Sequence, residues 1–467
     1  MVSRSSAVTA SFASTPSKCG SATREPLVCS KAWWRSRVSP WGRDARPRGC
    51  GGPTDARDGG SNPDRRDGET NMIDFRLTET DQTILDRTRA EALICRQYAR
   101  EFDEREAEMI PDTLPETEDF YAGAPALPTA GPEDTQGPVM MLLQTMGSYW
   151  GDYSVRLRRP MRGGLGNAAL AAAGTDEQKQ KWGNLLLSMA ITEPGCGSDP
   201  SRVSMTAELD EDTDEWVLNG EKIFVTTGIR ATGVVLWATI DKSAGRAGIK
   251  SFLVEKGTKG FEIPHKEKKL GIRADDTAAY VFSDCRIPRE NLLGLDESIS
   301  KANSGGFRGV MKTFNMTRPL TAAMGLGIAE AAIDMTREEL REAGVVLDYG
   351  AGPGAMGRLT AAAEKFMRLE ALFEASKLTT LQCGWMAGEG LPNNMESSVC
   401  KAHAGSAVRQ ITQGCIEILG AMGISRENLL EKWMRDSRIT DIYEGTGEIQ
   451  RLIIARGLLD YTRADLK

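Results

Sequence analysis

A lone carboxylate stands between an aromatic residue and a glycine at Tyr443-Glu444-Gly445-Thr446. Held there, Glu444 could abstract a proton, or it could be a loop acid facing water; the residues alone leave both readings open. The run that follows has Ile449, Leu452, Ile453 and Arg456 at helical spacing, with the apolar three as an expected buried stripe. Thr446 reads as the N-cap of that helix, and Glu448 sits in its first turn, where a carboxylate favours the helix dipole. His265 and His403 are the only histidines, in no metal-ligand spacing. A Ser-His-Asp hydrolase and a His-rich metal site are therefore not expected, and any general base is sought among carboxylates.

A second stretch with chemical potential is Ala190-Ile191-Thr192-Glu193-Pro194-Gly195-Cys196-Gly197-Ser198-Asp199. A short strand runs into Pro-Gly-x-Gly, which can turn sharply and present backbone N–H groups. With the Thr192 and Ser198 hydroxyls, such a nest suits a pyrophosphate or the polar edge of a flavin. It is not a G-x-G-x-x-G dinucleotide fingerprint. Taken by itself, it is also an ordinary turn.

The elements that must position these groups follow from periodicity. Residues 1–71 carry twelve Lys/Arg against seven Asp/Glu, a charge of +5 that leaves −12 of the total −7 for the rest. They have no apolar core of a secretory signal, and we expect disorder there, with translation starting at Met72. Residues 1–24 are free of acids and also read as an organelle transit peptide, which would make the location mitochondrial; otherwise it is expected to be cytoplasmic. Thr78 with Asp81 resembles a capping box opening a helix to Arg105, with Leu85, Thr88, Ala92, Cys95 and Ala99 on its inner face. Residues 108–138 read as a long surface loop. Helical periodicity returns from Val139 to Leu187, with Thr175 capping its last segment.

Between Met189 and Leu292 the period changes to two. Asn219-Gly220 inside VLNGEKIFVT predicts a hairpin, and short strands at regular intervals predict a compact antiparallel barrel or sandwich. Beyond Pro288 the helical pattern returns, with helices expected near 305–344, 356–389, 393–422 and 447–460 and a Gly-rich break at 349–357. The expected organisation is an extension 1–71, a helical domain 72–187, a β-barrel domain 188–295 and a helical bundle 296–467. The fold class is mainly α with a central β domain. No stretch approaches the roughly 18 apolar residues of a membrane span, so no stable membrane anchor is expected. The acidic balance argues against nucleic acid as a partner. Nine cysteines without a C-x-x-C pair suit a reducing compartment.

The decapeptide 190–199 closely resembles the first signature of the acyl-CoA dehydrogenase family, and Tyr443–Thr446 resembles that family's catalytic segment. Roughly 250 residues separate the two, as in the family, within the same α–β–α order. Lys222-Ile-Phe-Val-Thr-Thr-Gly228 resembles the flavin-facing strand, Gly271–Thr277 the loop after the barrel, and Phe314–Pro319 the start of the C-terminal bundle. The resemblance spans about residues 73–460.

It implies an FAD enzyme of fatty-acid β-oxidation, active on an acyl-CoA thioester and passing electrons to an electron-transfer flavoprotein, as a homodimer or homotetramer. Glu444 would remove the α-proton while the β-hydrogen leaves as hydride to flavin, giving a trans-2-enoyl-CoA. The Glu444 N–H and a ribityl hydroxyl would stabilise the developing enolate. Thr317 stands where some members place the base, which leaves that role to Glu444. Ile191, Thr192, Gly197, Ser198, Phe224, Val225 and Thr226 would line the flavin, and Thr446 and Glu448 its adenosine end. Ser198, Asn315, Thr317, Arg318, Gly445 and Arg456 would meet the substrate; for Arg456 a solvated helix cation is the competing reading, and for Arg318 a surface cation.

Four departures from the family pattern stand out: Cys196 for Ala or Gly, Phe224 for Trp with loss of an indole N–H, Glu417-Ile-Leu-Gly420-Ala421-Met-Gly423 for Gln-x-x-Gly-Gly-x-Gly, and no Arg-x-x-Phe-Gly segment. The last implies weaker FAD binding or an altered dimer interface. Competing readings are a flavin oxidase or monooxygenase on the same fold and a DNA-associated flavoprotein. The glutamate at 444 and the acidic core count against each in turn.

Overall fold

The computed structural model describes residues 77–106, 114, 116, 120, 137–158, 164–299, 305–350 and 359–461, with side chains in the long helix from 317 onward. The extension 1–71 and most of the loop 108–138 and of the break 349–357 lie outside them.

Thr78 opens α1 (Glu79–Gln97) with a reciprocal cap: its Oγ1 accepts from the Asp81 N–H at 3.1 Å, and Asp81 Oδ2 accepts from the Thr78 N–H at 2.9 Å. Ile84 rather than Leu85 joins Thr88, Ala92 and Cys95 on the inner face. The helix ends at Gln97, and α2 (Ala99–Glu104) restarts after one residue. Then come α3 (Gly137–Tyr149), α4 (Tyr153–Arg158), α5 (Leu165–Ala173) and α6 (Asp176–Trp182). Thr175 caps α6 as expected. Gln178, buried on α6, donates to the Glu290 and Leu292 carbonyls at 2.8 Å each and so fastens this layer to the end of the sheet.

The strands are β1 (Leu187–Ala190), β2 (Thr206–Asp210), β3 (Glu215–Val225), β4 (Gly233–Thr239), β5 (Ile249–Glu255), β6 (Phe261–Glu262) and β7 (Ala278–Pro288). They form one sheet in the order β1-β4-β2-β3-β7-β6, with β5 on β4. Every residue of β4 is buried, as its unbroken apolar run GVVLWAT requires. The fold class is as expected, but the sheet is mixed, because β4 runs parallel to both β1 and β2.

The expected hairpin at Asn219-Gly220 is absent, and β3 passes straight through it. Asn219 pairs with Thr206 and Gly220 with Phe282, across a register shift that marks a bulge. Gly220 has φ +144°, and a Cβ there would stand 2.8 Å from that of Met205. The glycine serves close strand packing rather than a turn.

The C-terminal helices are α7 (Gly305–Glu342), α8 (Ala361–Gly388), α9 (Asn394–Leu419), α10 (Ala421–Ile424), α11 (Leu430–Ser437) and α12 (Gly447–Leu458). One apolar core joins Met146 and Tyr153 to Leu326, Phe366, Val408 and Trp433, uniting α3 and α4 with the bundle. A second fills the sheet, with Leu170 and Trp182 closing it. The loop 271–277 ties the sheet to the bundle: the Ile272 N–H donates to Asp436 Oδ1 at 2.6 Å, and a Cβ on Gly271 would lie 2.4 Å from the Arg435 carbonyl.

Candidate active site

The candidate residues lie on two turns: the one after β1 and the one before α12. In the first, Glu193 and Cys196 exchange backbone hydrogen bonds of 2.8 and 3.0 Å, which closes the turn. Glu193 is buried and accepts from the Ser204 N–H at 2.7 Å, the Met205 N–H at 3.2 Å and Lys222 Nζ at 2.6 Å. Burial alone would raise its pKa, but the Lys222 charge and these donors hold it below the usual glutamate range. Lys222 is itself fully buried on β3 and also donates to the carbonyls of Ile191 and Trp237. The turn is thus bolted to β3 and β4 from beneath.

Its upper side is open. Pro194, Gly195, Gly197, Ser198 and Asp199 are exposed, and a Cβ on either glycine would meet nothing within 4 Å. Cys196 turns inward, donating to the Asp199 carbonyl. The Thr192 carbonyl accepts from the Ile223 N–H at 2.9 Å, bringing the turn beside the end of β3. There Phe224 has φ +55° and a side chain 58% exposed, while Val225 is buried and Ile191, Thr192 and Thr226 are half-buried. A bulky aromatic ring held outward at a left-handed residue, flanked by threonines, fits a planar ring system such as isoalloxazine.

The second turn carries Glu444. Arg438–Asp441 forms a tight helical turn after α11, and the chain then passes through Glu444 at φ +57° and Gly445 at φ +88°. A glutamate in the left-handed region costs on the order of 1 kcal/mol and persists only where its surroundings impose it. At φ +88° Gly445 would strain any L side chain, and a Cβ there would also push on Gln450 Nε2, 2.4 Å away. Thr446 caps α12, accepting from the Ile449 N–H at 3.3 Å. The expected buried stripe of α12 is not there: Gly447 and Gln450 are buried, whereas Leu452 is 55% exposed. The helix lies on α9 through its small and amide side chains, so apolar spacing named the wrong face.

Glu444 Oε2 accepts from Thr317 Oγ1 on α7 at 2.7 Å. Burial raises the Glu444 pKa, and the Thr317 hydroxyl and the charges of Arg318 and Lys401 act against it. Arg318 is 4% exposed, deep within α7, with Nη1 3.4 Å from Ser398 Oγ on α9. The surface-cation reading of Arg318 is thereby excluded. Tyr443 hydrogen-bonds Tyr153 of α4 and reaches Met324 Sδ at 3.5 Å. Thr317, Arg318 and Gly445 therefore gather with Glu444. Glu448 is exposed, 3.8 Å from Arg451, and Arg456 is half-buried in the last turn of α12. The Asn315 side chain lies outside the described residues.

Sequence reasoning missed four residues of this framework: Glu193, Lys222, Lys401 and Gln450. A lysine at an inward position of an alternating strand, and another among Ser397, Ala404 and Val408 on a small-residue helix face, were the available signals.

Comparison with known proteins agrees with this architecture. Residues 188–285 match the acyl-CoA dehydrogenase middle domain, and residues 304–459 the acyl-CoA dehydrogenase C-terminal domain. The chain is 31% identical to the short-chain specific acyl-CoA dehydrogenase of Clostridium acetobutylicum, over 82% of this chain and 99% of that one. It is 39% identical to the mitochondrial short-chain specific acyl-CoA dehydrogenase of Rattus norvegicus, over 61% and 67%. The solved butyryl-CoA dehydrogenase from Megasphaera elsdenii superposes with a TM-score of 0.66 at 27% identity, covering 83% of this chain and all of that one. Fold and site together define a flavin-dependent oxidoreductase. The chain belongs to the acyl-CoA dehydrogenase family, and its cofactor is FAD.

Proposed function

We propose that this protein oxidises an acyl-CoA to the trans-2-enoyl-CoA with Glu444 as the base. One observation carries the reading: a single desolvated carboxylate, set at a left-handed residue, is gripped by Thr317 and faced by Arg318. Desolvation makes that carboxylate a stronger base, and the Thr317 hydroxyl fixes which oxygen remains for the substrate. Glu444 takes the α-proton, and its backbone N–H donates to the thioester oxygen as negative charge gathers there. Bound FAD supplies the acceptor for the β-hydrogen, which leaves as hydride.

Thr192, Thr226, Phe224 and the backbone at Ile191 and Val225 would hold the flavin ring, with Gly197 and Ser198 above the turn. The Thr446 and Glu448 end of α12 would serve the adenosine portion. Ser198, Asn315, Arg318, Gly445 and Arg456 would orient the thioester and its CoA. We assign an electron-transfer flavoprotein as acceptor and a homodimer or homotetramer as the assembly, both by family resemblance. Failure to reduce that flavoprotein, or sedimentation as a monomer, would remove the respective assignment.

The test is anaerobic mixing of the purified holoenzyme with acyl-CoAs of graded length, butyryl-CoA first because the relatives named above are short-chain enzymes. Substrate should bleach the yellow flavin, and Glu444→Gln should keep the flavin and abolish bleaching. A Glu444→Gln protein that bleaches at the wild-type rate would sink the assignment.

A further inference from the structure

The consecutive carbonyls of Glu444 and Gly445 are both held by side chains from buried positions. Lys401 on α9 is fully buried and donates through Nζ to the Gly445 carbonyl at 2.6 Å. Gln450 on α12 is fully buried as well, and its Nε2 donates to the Glu444 carbonyl at 3.0 Å and the Gly445 carbonyl at 3.2 Å. We propose that Lys401 and Gln450 form a two-donor clamp that keeps the backbone at Glu444 and Gly445 left-handed and thereby aims the Glu444 carboxylate and N–H at the substrate. The proposal deepens the reading of Glu444 as the base and rests on it.

A buried lysine ammonium is costly unless it is paired, so its placement asks for a reason. Its chain-mates on α9 are small (Ser397, Ser398, Ala404, Gly405), which brings the helix close to the turn. A Cβ on Gly405 would lie 2.8 Å from Asp441 Oδ1, and one on Gly447 would lie 2.4 Å from the same atom. Asp441 is therefore wedged between α9 and α12, beside the lysine. The charged groups acting on Lys401 come from each flank: Asp441 from the turn after α11, Glu444, Arg318 from α7 and Glu448 from α12. Burial and Arg318 push its pKa down, the carboxylates push it up, and it settles at about 8. It is cationic at neutral pH and still lies close enough to favour the ionised form of Glu444. Left-handed strain at 444 requires the surroundings to over-determine the backbone. Two donors on consecutive carbonyls do so without occupying the carboxylate itself. Lys401 and Gln450 are thus positioning residues.

Lys401→Met keeps length and removes the ammonium, while Arg318 still acts on Glu444 and Arg409 still pairs with Asp441; Gln450→Met removes the other donor and leaves every charge in place. Both are examined as FAD-loaded full-length protein by anaerobic stopped-flow bleaching with saturating butyryl-CoA across pH. A misaligned base costs roughly ten- to a hundred-fold in rate. We expect that fall in both variants, with FAD content and affinity for crotonyl-CoA, a ligand that does not reduce the flavin, at wild-type levels. In Lys401→Met the acid limb of the rate profile should also move to higher pH, because the cation that favours the Glu444 carboxylate is gone. In Gln450→Met it should stay.

Wild-type rates and profiles in both variants overturn the clamp, as does a fall that tracks loss of FAD in both. If Lys401→Met does not fold, Gln450→Met decides alone. Glu444→Gln run alongside separates the two readings. If it bleaches normally, the base assignment falls and the clamp with it. If it is silent while the clamp variants behave as wild type, the clamp alone falls.

Discussion

Thr317 and Glu444 meet through one hydrogen bond, and its direction sets a pH effect. The hydroxyl donates to Oε2 and favours the carboxylate, working against the burial that raises the Glu444 pKa. A base must be ionised, so bleaching should fall as pH drops through that raised pKa, above the ordinary glutamate range. Thr317→Val removes the donor at nearly constant volume, so the pKa should rise further and the acid limb should shift to higher pH. Stopped-flow rates at fixed butyryl-CoA over a pH series check this; an unmoved limb would mean that the bond does not tune the base. At this scale the sequence was legible where a residue type had few alternatives. Two histidines pointed to a carboxylate, and the segment around Glu444 resembled a known motif. Lys401 was not legible, because a lysine amid alanines and serines reads as a solvated helix face until its helix is packed.

Among the elements, the β1–β3 junction is held by a buried ion pair, and this makes an expectation about stability. Lys222 and Glu193 have side chains 0% and 2% exposed, with Nζ and Oε1 2.6 Å apart. Lys222→Met leaves the Glu193 carboxylate buried opposite nothing, which costs about 3–5 kcal/mol in comparable pairs. Chemical denaturation should show that loss. FAD content should fall with it, because the lysine also holds the Ile191 carbonyl under the proposed flavin turn. Adding Glu193→Gln should recover part of the stability, and a double variant no better than the single would contradict the pairing. Helix starts were largely readable here: Thr78, Thr175 and Thr446 cap as expected. The failures were tertiary. Asn219-Gly220 carries turn chemistry that a bulge between β2 and β7 uses instead, and the α12 stripe was misassigned because the face meeting α9 is built from a glycine and an amide.

For the whole molecule, charge divides the chain near residue 71. The first 71 residues carry +5 and the remainder −12. The resemblance to the Megasphaera elsdenii enzyme covers all of that chain with 83% of this one, and both family domains match within residues 188–459. No helix among the described residues is long and apolar enough to cross a membrane. A chain begun at Met72 should therefore purify yellow, unfold at the same temperature as the full-length protein and bleach with butyryl-CoA at the same rate. The two forms should differ in charge-dependent behaviour: the shorter one, more acidic by five charges, should bind an anion exchanger more tightly at low salt. Loss of FAD or of bleaching in the Met72 form would instead give residues 1–71 a part in cofactor binding or catalysis.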